Sequence, residues 1–297
     1  RVVRHPKGMM SMREADFQSS LPGGEVRCDL CPRACVIAPG RTGFCRVRRN
    51  DGGRLVALSF GRPVALQVDP VEKKPLYHFL PGSRTFSVGS AGCNFSCLFC
   101  QNHHISRDPL EQERIRGHEA TPEMLVAAAL RPACRSLAFT YNEPLVGYEF
   151  VYDTARLLKE VGLATVLVTN GQIEKDSWLH LLPYIDAVNI DLKGFTQSFY
   201  DWIGGDLKTT KAAIAMAAED DVHVEVTTLV IPGKNDSAAE MAAEAEWLAN
   251  ISAELPLHLS RYFPRYQSRI PMTPVETLQD LRHVAEARLR FVHFGNI

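Results

Sequence analysis

The stretch "SAGCNFSCLFCQN", Ser90 to Asn102, places Cys93, Cys97 and Cys100 at the spacing C-x3-C-x2-C. Four thiolates close a tetrahedral zinc site or an iron–sulfur cluster, so three leave one position of a metal centre without a protein ligand. An open coordination position is what separates catalytic metal centres from structural ones. The segment just before it, "TFSVG", reads as a strand, so the cysteines fall in the loop where an α/β barrel carries its chemistry. Phe99, next to the last cysteine, would keep water from the thiolates. The alternative is a zinc knuckle completed by His103 or His104, but ordinary zinc sites prefer two separated pairs.

Outward from this loop the chain alternates between two periodicities. Short β-branched runs, "TFSVG", "SLAFTYN", "ATVLVTN", "DAVNIDLK", "VHVEVTTLVI" and "LHLSRYF", read as strands. Amphipathic stretches lie between them. Thr121-Pro122-Glu123 opens one with a capping residue and a proline at the first helical position. "YEFVYDTARLLKEVG" ends on Gly162 as a C-cap, and "LKTTKAAIAMAAED" and "SAAEMAAEAEWLANI" follow. Trp178, Trp202 and Trp247 are expected in the core, Cys134 as a small buried hydrophobe, and the "AAEMAAEAEW" charges on a solvated face. Strand–helix alternation implies parallel pairing with right-handed crossovers, and about six repeats fit an incomplete barrel.

Composition bounds the rest. The chain has 297 residues, 45% hydrophobic and 23% charged, with a net charge of −1. That is enough for one large core, and it gives no bulk electrostatic reason to bind nucleic acid. Apolar runs such as "MLVAAAL" fall far short of the roughly 18–20 residues of a membrane-spanning helix. The first twenty residues lack the apolar core of an export signal.

Seven of the eight cysteines sit in two tight clusters, which without an export signal read as metal ligands in a reducing, cytoplasmic compartment. The first cluster, "CDLCPRACVIAPGRTGFC", holds Cys28, Cys31, Cys35 and Cys45 at C-x2-C-x3-C-x9-C. Its four ligands suit structural zinc or an auxiliary iron–sulfur cluster, with a lean to a structural role because no position is vacant. Residues 1–60 read as a small metal-binding lobe, 61–85 as a linker with few signs of regular structure, and 86–297 as the barrel. Within the linker, "EKKPLYHF" (Glu72 to Phe79) either lines the substrate cavity or is a solvated segment anchored by Leu76 and Phe79. His103 and His104 read as second-layer or surface groups.

C-x3-C-x2-C with an aromatic residue before the last cysteine resembles the signature of the radical S-adenosylmethionine (SAM) superfamily. The resemblance implies a partial (β/α)6 TIM-like barrel and a [4Fe–4S] cluster on Cys93, Cys97 and Cys100. The unique iron would be chelated by SAM, whose reductive cleavage yields methionine and a 5′-deoxyadenosyl radical that abstracts hydrogen. Further motifs at successive strand ends are similar to those of glycyl-radical activating enzymes. "YNEP" places Asn142 and Glu143 at the cosubstrate ammonium. "TNG" brings Thr169 and Asn170, and "DLK" brings Asp191 and Lys193, the latter balancing the carboxylate. "LVIPGKND" follows the fifth strand, with Thr227 near its start, and His258 would lie near the ribose or adenine. Val168 stands where the activating enzymes commonly have aspartate and Thr227 where an arginine is frequent, so neither a monovalent cation nor an arginine clamp is carried over. The markers "CDLCPRAC", "DPVEKKPLYHFLPG", "CNFSCLFCQN", "FTYNEP", "TTLVIPGKND", "SRYFP" and "VHFGN" are similar to the radical SAM component of the AmmeMemoRadiSam system. That group is related to pyruvate formate-lyase activating enzyme. As partners the resemblance implies Memo-like and AMMECR-like proteins and a reductant such as flavodoxin or ferredoxin. An iron–sulfur carrier or a zinc scaffold without catalysis is the competing reading.

Overall fold

The computed structural model describes residues 13–297 except 108–109, 112–113 and 132. The reading of the N-terminus falls largely on residues 1–12, outside the described residues. An eight-stranded sheet dominates. Its strands are β1 (Ala65–Pro70), β2 (Arg84–Gly89), β3 (Ser136–Phe139), β4 (Ala164–Thr169), β5 (Ala187–Asp191), β6 (His223–Val230), β7 (Leu257–Arg261) and β8 (Val292–Gly295). From β2 to β8 the strands lie in chain order and each neighbouring pair is parallel. β1 joins the β2 edge antiparallel. Helices α1 (Pro122–Leu130), α2 (Tyr148–Glu160), α3 (Lys175–Leu181), α4 (Gln197–Ile203), α5 (Leu207–Glu219), α6 (Ala238–Ile251) and α7 (Val275–Glu286) make the crossovers. Thr121 caps α1 as expected, its side chain accepting from Met124 N at 3.3 Å. The strand interiors are buried on both faces, which is why they read as continuous apolar runs.

All six strands read from the sequence are present, and two more lie at the edges. β8 is only four residues, with histidine and glycine among them. β1 lies inside the stretch expected to have little regular structure, and this corrects that expectation. Its Pro70 sits at the end of an edge strand, where a missing donor does no harm. No pairing joins β1 to β8. The segment after β1 fills that gap instead: Tyr77 Oη donates to Phe294 O at 3.4 Å and the Nε2 atoms of His78 and His293 are 2.8 Å apart.

The N-terminal residues form two small three-stranded sheets, one from Arg13–Glu14, Leu55–Ala57 and Arg48–Asn50, the other from Gln18–Ser20, Val26–Cys28 and Val36–Ile37. A buried ion pair ties them to the barrel. Arg48 Nη2 and Nη1 meet the Glu149 carboxylate on α2 at 2.9 and 3.1 Å, and the same carboxylate accepts from Asp16 N at 2.8 Å. Trp178 and Cys134 are buried as expected. Glu244 on α6 corrects the reading of its charges as a solvated face. It is buried, it accepts a hydrogen bond from Thr228 Oγ1, and burial pushes its carboxyl up to about 8. No helix among the described residues is long and apolar enough to cross a membrane.

Candidate active site

Strands that run parallel deliver their C-terminal ends to one side, and the candidate residues gather there. Register places Asp191, Thr227 and His258 in one row across β5, β6 and β7. Below the loop that carries Cys93, Cys97 and Cys100 lies a cavity of about 500 Å3, lined by those cysteines together with Phe99, Asn142, Glu143, Asn170, Asp191, Lys193, Thr227 and His258. Thr169 does not line it but is buried one contact behind, donating from Oγ1 to Glu143 Oε1 at 2.7 Å. His103 and His104 lie on a single helical turn after the cysteines, and His103 stacks on Tyr266 with ring centroids 4.7 Å apart.

Two asparagines hold the cysteine loop. Asn142 Nδ2 donates to Gly92 O at 2.7 Å, and its Oδ1 accepts from Ser90 N at 3.1 Å. Asn170 Nδ2 donates to Asn94 Oδ1 at 2.8 Å and approaches Cys93 Sγ at 3.9 Å. The strand end before Asn142 is strained: Tyr141 has φ +75°. Its hydroxyl donates to Asp69 at 2.7 Å, and its carbonyl accepts from Asn102 Nδ2 at 2.5 Å. Phe99 is buried against Trp202 and Tyr262, which places an apolar wall beside the thiols.

The charges are arranged in opposition. Glu143 is fully buried and accepts three hydrogen bonds, from Leu145 N, Thr169 Oγ1 and Asn170 N at 2.7–3.0 Å. Burial still pushes its carboxyl up to about 7, with the hydrogen bonds working against it. Lys193 Nζ pairs with Asp191 at 2.8 Å. Burial opposes its charge, yet Asp191 and the neighbouring Cys97 hold the ammonium well above the usual lysine range. Burial also pushes the Cys97 thiol up to about 12, with Lys193 opposing.

The floor of the cavity comes from "EKKPLYHF", which the sequence left between two readings. Glu72, Lys73, Pro75 and Tyr77 line the cavity. Lys74 is buried against Asp69 at 2.8 Å. The backbone N–H groups of Tyr77 and His78 donate to the Glu225 carboxylate at 3.0 and 2.8 Å. Glu225 also meets His223 Nε2 at 2.9 Å and His258 Nε2 at 2.6 Å. Burial works against its charge, but these donors hold its carboxyl well below the usual carboxylate range. Sequence reasoning missed Glu225, Asp69 and His293. A glutamate inside the β-branched run "VHVEVTT" was the available signal for the first.

The residues fit a cationic and nucleoside-bearing ligand beside a metal cluster. Glu143 is a buried carboxylate held by three hydrogen bonds, and among the described residues it has no ion-pair partner. Among the described residues, His258 Nδ1 is buried with no hydrogen-bond partner. Among the described residues no three His, Cys, Asp or Glu side chains gather about a point as one metal ion requires. A family model for the radical SAM superfamily matches residues 87–245. The chain belongs to the radical SAM superfamily.

An uncharacterized protein of Methanocaldococcus jannaschii is 41% identical over 289 residues, 96% of this chain and 86% of that one. The pyruvate formate-lyase-activating enzyme of Clostridium pasteurianum is 28% identical over 178 residues, 58% of this chain and 71% of its own. The crystal structure of Streptococcus suis SuiB bound to S-adenosylmethionine matches in fold with a TM-score of 0.53 at 14% identity, over 68% of this chain and 47% of SuiB. The protein is thus a radical SAM enzyme, and a [4Fe–4S] cluster and SAM are its cofactors.

Proposed function

We propose that Cys93, Cys97 and Cys100 hold the [4Fe–4S] cluster and that SAM fills the cavity they line. The observation that carries this is one cavity uniting three thiols, the buried Glu143 carboxylate and a half-buried lysine paired with Asp191. Glu143 receives the cosubstrate ammonium, and Thr169 and Asn170 fix its two oxygens. Lys193, steadied by Asp191, receives the carboxylate. His258, oriented through Glu225, offers the free Nδ1 to the nucleoside, with Thr227 beside it in register. Asn142 and Asn170 keep the cysteine loop in place, and Phe99 excludes water. When bound, the cluster supplies the electron that splits SAM into methionine and a 5′-deoxyadenosyl radical, which takes hydrogen from the target.

The target is read as a C–H bond either in a partner protein, with a glycine as the activating-enzyme precedent, or in a small molecule. Memo-like and AMMECR-like proteins are the polypeptides to test, and a flavodoxin or ferredoxin is the electron donor. The same reading divides the chain into a metal-binding lobe over 1–60, a joining segment over 61–85 and the radical SAM barrel over 86–297. Both small sheets fall inside the first of these. Anaerobically reconstituted protein given dithionite and SAM should form 5′-deoxyadenosine. An intact cluster that leaves SAM uncleaved would move the protein to the electron-carrier reading.

A further inference from the structure

Cys28, Cys31, Cys35 and Cys45, spread over 18 residues of chain, line a single small void whose other walls include Leu30, Ile37, Arg33, Asn94 and Gln172. The void measures about 20 Å3, more than the roughly 10–15 Å3 that admits one water. A zinc ion bound by four thiolates at about 2.3 Å brings the sulfurs to about 3.8 Å from one another and leaves no such space. Among the described residues no three of these thiols gather at single-ion spacing. Cys93, Cys97 and Cys100 likewise line one cavity, and among the described residues they form no single-ion group either.

The two sites touch through backbone. A Cβ on Gly92, the residue before Cys93, would lie 2.6 Å from Cys45 O. Gly92 has φ +88°, so both conformation and space require glycine there. Arg33, between Cys31 and Cys35 in sequence, donates from Nε to Asn94 O and from Nη2 to Gly204 O, both at 2.5 Å. Asn94 lines the four-cysteine void while its neighbour Cys93 lines the SAM cavity.

We infer that the four N-terminal cysteines hold a polynuclear iron–sulfur cluster, not zinc, seated against the three-cysteine loop at the Cys45–Gly92 contact. Ligand count alone leaves zinc and an iron–sulfur cluster both open, with a lean to a structural role. It does not depend on the SAM roles proposed above, because it concerns other thiols.

The test uses the whole chain, reconstituted anaerobically with iron and sulfide in the presence of zinc. The triple variant Cys93→Ala/Cys97→Ala/Cys100→Ala should keep iron and acid-labile sulfide in equal amounts, with a reduced-state electron paramagnetic resonance signal. Adding Cys31→Ala to that variant should remove both. In the wild type the reduced spectrum should differ from the sum of two isolated clusters, through magnetic coupling across the short separation. A triple variant that binds one zinc and no sulfide-bearing iron overturns the inference, whatever the wild type does with SAM. Should the triple variant fold poorly, metal content of the wild type decides: about eight irons per chain supports two cubanes, and about four irons with one zinc refutes the second. Wild-type cleavage of SAM alongside zinc in the lobe would sink this inference while leaving the proposed function intact.

Discussion

The two cysteine sites differ by one thiolate, and their surroundings differ accordingly. The three-cysteine loop opens on a cavity of about 500 Å3 edged by Glu143, Asp191, Lys193 and His258. The four-cysteine void is about 20 Å3, walled mainly by apolar side chains together with Arg33, Asn94 and Gln172, with a buried Arg48 already neutralised by Glu149. A centre with a vacancy needs polar groups to receive whatever fills it, and those groups stay partly unmet until it arrives. A closed centre needs only insulation and a firm frame. The difference teaches that ligand count predicts the chemistry of a site through its neighbours: one set is electrostatically unfinished, the other complete.

Breaking the first site should have the greatest consequence. Cys97→Ala is expected to abolish 5′-deoxyadenosine formation while the unfolding midpoint of metal-free protein stays near that of the wild type, because Cys97 lies in a loop and adds little to the packed core. Retained cleavage would contradict the open-site assignment. The frame of the second site is tested by Arg48→Met, which strands the Glu149 carboxylate in the interior. A loss of about 3–5 kcal/mol in denaturant unfolding is expected, with metal at the four-cysteine site lost alongside. The double variant Arg48→Met/Glu149→Leu should recover most of that stability, since apolar replacement of a buried pair is often neutral. If the double variant is as weak as the single one, the pair is not the joint between lobe and barrel.

Much of this comparison was legible in the sequence. β-branched runs marked the six inner strands because strands buried on both faces have no polar alternation to confuse the reading. The motifs at their ends were legible because thiolates, carboxylates and a lysine are rarely spent on packing. The edge strands were not: β8 is short and holds His293 and Gly295, and β1 ends in the turn-like Asp69-Pro70. The role of Glu225 was illegible for a different reason. The backbone groups that satisfy it, at Tyr77 and His78, are 148 and 147 residues away in sequence, and only the closed fold brings them together. The spacing of the N-terminal cysteines likewise said four ligands and nothing of the room between them.

The unfinished charge of the open site gives a pH test. A carboxyl pushed up to about 7 binds its proton in the folded state where the unfolded chain, near 4.5, has released it. The native state therefore holds the extra proton between those values, and this group's contribution makes SAM-free protein less stable as pH rises through that window. Binding an ammonium expels the proton, so SAM affinity should rise by up to about tenfold per pH unit below about 7 and level off above it. Glu143→Gln should weaken binding by about ten- to a hundredfold, as loss of a charged hydrogen bond implies, and flatten the pH profile. Calorimetric titration across the range checks both. An unchanged slope in the variant would place the titrating group elsewhere.

The mildest perturbation separates floor from rim. Tyr77 contributes a backbone N–H to Glu225, a ring packed edge-on to His258 at 4.7 Å between centroids, and a hydroxyl 3.4 Å from Phe294 O. The hydroxyl contact is long, so Tyr77→Phe should cost less than about 1 kcal/mol in stability and leave SAM affinity nearly unchanged. Tyr77→Ala removes the ring as well and frees the His258 imidazole to turn. It should weaken SAM binding more than it weakens the fold, because the Glu225 hydrogen bond from backbone N survives any side-chain change. Equal losses in both quantities would mean that the segment props the barrel without shaping the cavity, and would shift the basis of SAM recognition wholly to the strand ends.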